Sequence, residues 1–169
     1  MTSRTAFRPS PPCAGGRATS KTVRQGHESA AVSRATQFRQ LNDGWNAEPN
    51  APDPIVQVDD SNVLLSFLAN PFRFPRFAEE QRLRLRFKNA RRYRLGSTND
   101  EGWYRGQCRF SGEAPAWGQF YEVSGDLKLE RSPNDWHIVG EARPPGRHFL
   151  FYLRDGTFEC EADDWVLEE

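Results

Sequence analysis

Apolar and polar residues alternate with a period of two from Ile55 towards the C-terminal end of the chain. Turn-forming residues recur about every ten positions, a spacing typical of short strands joined by turns. Alternation of this kind indicates strands with one buried face, and short connections favour antiparallel neighbours. We therefore predict one all-β domain over residues 54–169, an antiparallel sandwich or small barrel of about eight strands.

The clearest predicted element is a hairpin near the C-terminus. The runs His148–Arg154 and Thr157–Ala162 both alternate, and Asp155–Gly156 lies between them. Asp-Gly at such a place favours a two-residue type I′ turn, because both central residues need positive φ. That turn pairs Arg154 with Thr157. The predicted apolar face holds Phe149, Phe151, Leu153, Phe158, Cys160 and Ala162, and the predicted polar face holds Tyr152, Arg154, Glu159 and Glu161.

A second clear strand is Arg82–Lys88, in which Leu83, Leu85 and Phe87 face inward and the basic residues face outward. We expect it to continue through a bulge into Arg91–Leu95. The other predicted strands are Ile55–Val58, Val63–Ala69, Trp103–Phe110, Trp117–Glu122, Val123–Glu130 and Trp136–Glu141, and a short helix is predicted at Ala78–Arg82.

The outward residues of the second strand form a basic stripe of Arg82, Arg84, Arg86 and Lys88. One interpretation is a phosphate-binding face. The other is a solvated strand face that discourages edge-to-edge aggregation, with its charges paired across strands to acids such as Glu159 and Glu161. We favour the second interpretation because the domain itself is acidic.

Residues 1–50 are predicted to be a disordered basic arm, since they are rich in Arg, Ser, Thr, Pro and Gly and have few large apolar side chains. Residues 1–40 carry seven basic residues and one acid, whereas the other 129 residues carry 16 basic and 22 acidic residues. Three interpretations of the arm remain open. It has the composition of an organelle transit peptide, it could be a weak electrostatic arm for nucleic acid or an acidic partner, or it is a stretch without function that precedes a later translation start.

The excess of acid over base in the domain argues against nucleic acid as a partner. No apolar run approaches the ~18 residues of a membrane span. Cys13, Cys108 and Cys160 form no CxxC pair, which favours a reducing, cytoplasmic compartment and unpaired, buried thiols. The chain lacks the GxSxG, HExxH, phosphate-loop and dinucleotide motifs. We therefore predict no catalytic residue, metal or cofactor.

Candidate binding residues lie in and beside the Ser97–Gly102 loop. Its oxygen-bearing side chains are of the kind that holds Ca²⁺, but their spacing is not that of an EF-hand. The alternative is a polar hairpin connection that uses Asn, Asp and Gly for turn geometry. Trp103 faces outward by the same alternation, and exposed tryptophans are common contact anchors, although in β proteins they also pack over sheet ends. The predicted binding residues are Asn99, Asp100, Glu101, Trp103, Arg105 and Trp117.

Three runs of this chain, Tyr93–Phe110, Trp117–Glu122 and His148–Arg154, resemble a family of small bacterial all-β proteins for which no activity is known. The resemblance covers roughly residues 41–165 and leaves the arm outside. It implies a bacterial, cytoplasmic origin and a later translation start. It implies no activity, cofactor, partner or site residue.

Three functions remain open. The first is a non-enzymatic module that binds another protein, supported by the candidate aromatic anchors and the acidic domain. The second is a β-barrel that binds a small apolar ligand, since eight strands can enclose one such ligand. It depends on whether the inward Phe and Leu side chains meet in the middle or leave a cavity. The third is an enzyme of unknown class. We expect the first.

Overall fold

The computed structural model describes residues 35–97, 99–125, 133–141 and 143–169. These residues form ten strands and one short helix. In chain order they are β1 (Gln37–Gln40), β2 (Ile55–Asp59), β3 (Asn62–Leu68), β4 (Arg82–Lys88), β5 (Arg92–Gly96), α1 (Asp100–Tyr104), β6 (Phe120–Ser124), β7 (His137–Ile138), β8 (Arg147–Leu153), β9 (Gly156–Ala162) and β10 (Asp164–Glu168).

The strands form two antiparallel sheets that pack as a sandwich, which confirms the all-β prediction. One sheet has the order β1-β6-β8-β9-β5-β7 and the other β10-β4-β3-β2. Phe87 of β4 lies 5.2 Å from Phe158 of β9, and Phe67 of β3 lies 5.3 Å from Phe151 of β8, measured between ring centroids. The inner faces therefore meet in the middle. Each such aromatic side chain contributes about 1.5–3 kcal/mol by its burial.

The inward faces follow the sequence pattern closely. Leu83, Leu85 and Phe87 of β4 are fully buried, as predicted. The predicted strands on either side of Asp60 are confirmed in β2 and β3. The predicted bulge after β4 is wrong, because the chain turns at Asn89 (φ 49°) and β5 joins the other sheet. β10 was not predicted.

The register of the β8–β9 hairpin differs from the prediction by two residues. Leu153 pairs with Gly156, so Arg154 and Asp155 form the turn, and neither has positive φ. A shift of two residues keeps every side chain on its predicted face, since the strand period is two. Gly156 is needed for another reason: a Cβ there would lie 2.9 Å from the carbonyl oxygen of Gly96 in β5.

The predicted polar face of this hairpin is also buried. Tyr152 and Glu159 are almost fully excluded from solvent, and Tyr152 belongs to a second apolar cluster that lies outside the sandwich core. This cluster consists of Phe110, Ala114, Tyr121, Val123, Leu150 and Tyr152. The hairpin is therefore buried on both faces.

The predicted strand Trp103–Phe110 is wrong, because this part of the chain forms α1 and a series of turns. Asn99 caps the helix: its Oδ1 accepts a hydrogen bond from the backbone N–H of Gly102 at 3.0 Å, as N-cap residues do. The predicted helix Ala78–Arg82 is also wrong, since turns lead directly into β4. No helix among the described residues is long and apolar enough to cross a membrane.

Two further predicted strands differ from the structure. The predicted strand Trp117–Glu122 begins later, at Phe120, and residues 126–130 of the next one lie outside the described residues. The predicted strand Trp136–Glu141 shortens to β7.

The predicted disordered arm, residues 1–50, extends too far towards the C-terminus. Residues 1–34 lie outside the described part of the chain. Residues 37–40, however, form β1, which pairs with β6, and Trp45 is only 3% exposed. Phe38, Leu41 and Trp45 are too few and too widely spaced to show a strand period in the sequence.

The basic stripe of β4 is paired with acids on neighbouring strands and loops. Arg82 pairs with Asp53, and Arg86 pairs with Glu168 at 2.6 Å. The predicted partners Glu159 and Glu161 are wrong, because both lie in β9 of the other sheet.

We expect Gly156→Ala to lower the free energy of unfolding by about 1–3 kcal/mol, because the added Cβ meets backbone that cannot move without disturbing β5. The control Asp155→Ala changes an exposed turn residue and should stay within about 0.5 kcal/mol of wild type. Urea denaturation of both variants measures the difference. Equal midpoints would contradict the observed register.

Candidate functional site

One face of the six-stranded sheet is covered by the segment of residues 99–119, which we call the cover segment. Its attachments are hydrogen bonds from two tyrosines of the sheet. Tyr152 donates its hydroxyl to the carbonyl oxygen of Arg109 at 3.0 Å. Tyr121 donates to the carbonyl oxygen of Ala116 at 3.0 Å and accepts from the N–H of the same residue at 3.1 Å. These bonds fix the backbone of the cover segment on the sheet.

Four aromatic side chains form a continuous row along the cover segment, which we call the aromatic row. Tyr104 lies 5.0 Å from Trp103, and Trp103 lies 6.1 Å from Trp117, between ring centroids. Trp117 stacks on Tyr152 at 4.8 Å and an interplanar angle of 30°. Burial increases along the row, from Tyr104 at 75% exposed to Tyr152 at 1%.

The aromatic row ends at a cleft of about 240 Å³. Four separate stretches of the chain line this cleft: residues 46–49, residues Asn70 and Arg73, residues 117–119, and residues 152–154. Its walls therefore combine aromatic rings with side-chain amides and charged groups. We call it the cleft.

Several polar groups of the cleft are already bonded within the protein. Asn46 accepts from the N–H of Ala47 at 2.8 Å and donates to the carbonyl oxygen of Gly118 at 2.7 Å. The carboxylate of Glu48 accepts from the N–H groups of Asn50, at 2.7 Å, and of Ala51. Among the described residues, the single carboxylate that lines the cleft is thus engaged with its own loop.

Other groups of the cleft keep hydrogen-bond donors without an acceptor in the described residues. Asn70 uses its Oδ1 to accept from the N–H of Arg73 at 3.0 Å, which leaves its Nδ2. Gln119 uses its Oε1 to accept from Gln40 at 3.0 Å and from Asn42 at 2.9 Å, which leaves its Nε2. Both amides are positioned by one bonded oxygen and present a free N–H group.

Two arginines at the cleft, Arg73 and Arg154, have no carboxylate within 4.0 Å among the described residues. Nη1 of Arg154 donates to Oδ1 of Asn50 at 3.3 Å, and the guanidinium of Arg73 lies 5.4 Å from the ring centroid of Phe74. Both side chains keep their positive charge uncompensated, which makes the cleft able to bind an anion.

A buried charge cluster lies under the cover segment, centred on Glu159 at 0% exposure. Its Oε2 lies 2.7 Å from Nε2 of His148 and 3.4 Å from Nε of Arg109, and its Oε1 accepts from Arg94 at 2.9 Å. Arg94 also donates to both carboxylate oxygens of Asp135, at 2.8 and 3.1 Å. One carboxylate thus ties together β5, β8, β9 and the cover segment.

The physical surroundings keep Glu159 ionised. Burial alone would raise the pKa of its carboxyl group, but the hydrogen bond from His148 and the charges of Arg109 and Arg94 outweigh burial and lower that pKa. His148 is itself only 4% exposed, so no substrate reaches this pair in the described structure. The cluster therefore acts as a clamp on the cover segment.

The predicted binding residues divide into two groups. The first group stabilises α1 itself. Asn99 caps the helix, and Oδ1 of Asp100 accepts a hydrogen bond from the N–H of Glu101 at 2.8 Å. Arg105 forms an ion pair with Glu101 at 3.4 Å. Among the described residues no three His, Cys, Asp or Glu side chains are placed to hold a metal ion. The other two, Trp103 and Trp117, come together in the aromatic row.

Sequence reasoning missed the polar residues of the cleft, namely Asn70, Arg73, Gln119 and Arg154. They come from loops far apart in the chain, and no local pattern marks them. The prediction of buried thiols is confirmed for two cysteines, since Cys108 and Cys160 are buried and neither forms a disulfide within the described residues. Burial raises the pKa of the Cys160 thiol well above its usual range.

We expect Glu159→Gln to lower the free energy of unfolding by about 3–5 kcal/mol, because it leaves buried positive charge uncompensated. Glu161→Gln is the matched control on the same strand, since within the described part of the chain Glu161 has Arg92 as its single ion-pair partner; it should cost about 1 kcal/mol or less. Thermal and urea unfolding measure both. A similar loss in the two variants would rule out a special role for Glu159.

We also expect stability to fall in acid. The pKa of Glu159 is lowered in the folded state, and hydrogen bonds from Arg147 and Arg39 lower the pKa of Glu122 to about 2. A carboxyl group whose pKa is lower in the folded than in the unfolded state stabilises the folded protein at pH values above its unfolded-state pKa, which is near 4.3 for Glu. This stabilisation is lost as the pH falls through the folded-state pKa. The free energy of unfolding should therefore decrease between about pH 4.5 and 2, with a shallower slope in Glu159→Gln. An equal slope in both proteins would contradict the lowered pKa of Glu159.

Comparison of the chain with protein-family models, with curated proteins and with solved structures finds no match. The resemblance to a family of small bacterial proteins stays a prediction. The function of the domain is therefore argued from the geometry of the aromatic row and the cleft.

Proposed function

We propose that this domain is a non-enzymatic binding module that takes a segment of another protein along the aromatic row and into the cleft. The observation that carries the proposal is the continuity of the two features. The exposed ring of Tyr104 leads, through neighbouring rings, into a cleft whose arginines have no acid partner among the described residues. Trp, Tyr and Arg are the residue types that contribute most of the energy at protein interfaces.

The exposed aromatic side chains near the aromatic row and the cleft are of the kind found at an interface with another protein. Tyr104 at one end is 75% exposed, and Phe72, which directly precedes Arg73 at the cleft, is 78% exposed. Large apolar side chains left in water are a cost that a bound partner removes. The half-buried rings of Trp103 and Trp117 are held in place by packing, so little side-chain entropy is lost on binding.

The other two functions have less support. An apolar ligand between the sheets needs a cavity there, but Phe67, Phe87, Phe151 and Phe158 meet across the sandwich. The cleft, at about 240 Å³, is smaller than the roughly 300–1,000 Å³ of sites for drug-sized ligands. For catalysis, Glu48 is already bonded to two backbone N–H groups, and burial raises the pKa of the Tyr152 hydroxyl. Neither group of the cleft is poised for proton transfer.

The test is selection of short random peptides, displayed with their C-termini fused to the carrier, on the immobilised wild-type protein. We expect enriched peptides that bind wild type and bind Tyr104→Ala about ten-fold more weakly, as for a residue that contributes strongly to an interface. Tyr104 is exposed, so this variant should fold normally.

The matched control is Ile138→Ala, which removes another exposed apolar side chain at the far edge of the six-stranded sheet. Its affinity for the selected peptides should equal that of wild type. A selection that enriches no peptide would overturn the proposed function. Peptides that bind Tyr104→Ala as well as wild type would place the interface elsewhere.

A further inference from the structure

The chemistry of the cleft indicates what the bound segment contains. Resting on the proposed function, we propose that the segment is acidic and that one of its side-chain carboxylates is held by Arg73 and Arg154. Three features of the domain support this assignment: the pairing of its other arginines, the hydrogen-bond donors of the cleft and the position of the aromatic row.

Arginine is paired almost everywhere else in the described structure. Eleven described arginines lie within 4.0 Å of a carboxylate. Among the described residues, those without such a partner are Arg73, Arg143 and Arg154. Two of these three line the same cleft. Such a concentration of uncompensated charge favours a partner that brings the missing carboxylate.

The side-chain groups of the cleft that have no hydrogen-bond partner among the described residues are donors. Besides the two guanidinium groups, the Nδ2 of Asn70 and the Nε2 of Gln119 have no acceptor among the described residues, while the oxygens of both amides are bonded. An ionised carboxylate has acceptors only, and its two oxygens together accept about four hydrogen bonds. It is therefore the side chain that complements this set of donors.

Glu48, the acid that lines the cleft among the described residues, lies within 4.0 Å of neither arginine. Glu48 accepts from the N–H groups of Asn50 and Ala51, and Asn50 in turn holds the guanidinium of Arg154 through its Oδ1. The Arg73 backbone is fixed by Asn70. Arg154 is thus oriented at its guanidinium, and Arg73 is held at its backbone, by neutral groups that leave both charges in place.

The aromatic row adds a second requirement. Trp117 lines the cleft and stacks on Tyr152, so a carboxylate held at the arginines places the neighbouring residues of the segment against aromatic rings. We therefore expect an aromatic or aliphatic residue within a few positions of the acid.

The experiment uses the peptides selected above on the full chain. We expect the enriched peptides to carry Asp or Glu beside an apolar residue, and replacement of that acid by Asn or Gln to weaken binding about ten-fold or more. Because the C-termini are fused to the carrier, only side-chain carboxylates are offered. A synthetic peptide with an amidated C-terminus should bind as well as one with a free C-terminus.

Variants of the protein give the other half of the test. Arg73→Gln and Arg154→Gln should each weaken binding of the acidic peptide about ten-fold and leave the Gln-substituted peptide unaffected. Arg143→Gln removes the same charge outside the cleft and should have no effect. Both cleft arginines are exposed, and far-ultraviolet circular dichroism checks that the variants fold.

The outcomes separate this inference from the proposed function. Enriched peptides that are neutral or basic, or that bind both arginine variants as tightly as wild type, would overturn the inference while leaving a Tyr104-dependent binding module. A requirement for a free C-terminal carboxylate would equally overturn the side-chain assignment. A selection without any enriched peptide would overturn both proposals together.

Discussion

The carboxylate of Glu159 is the interaction on which the outer layer of the domain depends. It lies in β9, whose hairpin with β8 is buried on both faces, and its basic partners come from β5, β8 and the cover segment. A buried charge is tolerated only when it is closely paired. Here the pairing itself determines which segments must lie together, so the electrostatic requirement of one residue becomes a constraint on the path of the chain.

The aromatic row and the cleft follow from that constraint. The cover segment carries Trp103 and Trp117, and its contact with Tyr152 places both rings over the sheet. Tyr152 in turn lies in the strand that leads to Arg154 in the hairpin turn. The same hairpin therefore supplies the buried ring of Tyr152, on which Trp117 stacks, and the charged side chain of Arg154 in its turn. Sites built on strands in this way are positioned more accurately than sites built on free loops.

The sandwich could be predicted from the sequence because a period of two is read directly from residues such as Leu83, Leu85 and Phe87. The register of the hairpin could not, because Gly156 serves a contact with β5 that is invisible in a single strand. Residues Trp103–Phe110 alternate by coincidence, and the helix-capping signal of Asn99 carried more information than that alternation. The cleft could not be predicted at all, since Arg73 and Arg154 lie far apart in the chain and line one cleft only in the folded domain.

The order of strands has a consequence for how the chain folds during synthesis. β5 and β6 are not neighbours in the sheet; each pairs with one strand of the late hairpin, β9 or β8, and β4 likewise has β10 on one side. Most of the sheet thus waits for residues 147–168, which leave the ribosome after all the other strands. Until then, β5 and β6 lack the strands that join them into one sheet, a situation that favours slow folding. The strand order, rather than any single segment, therefore makes completion of the sandwich a late event in synthesis.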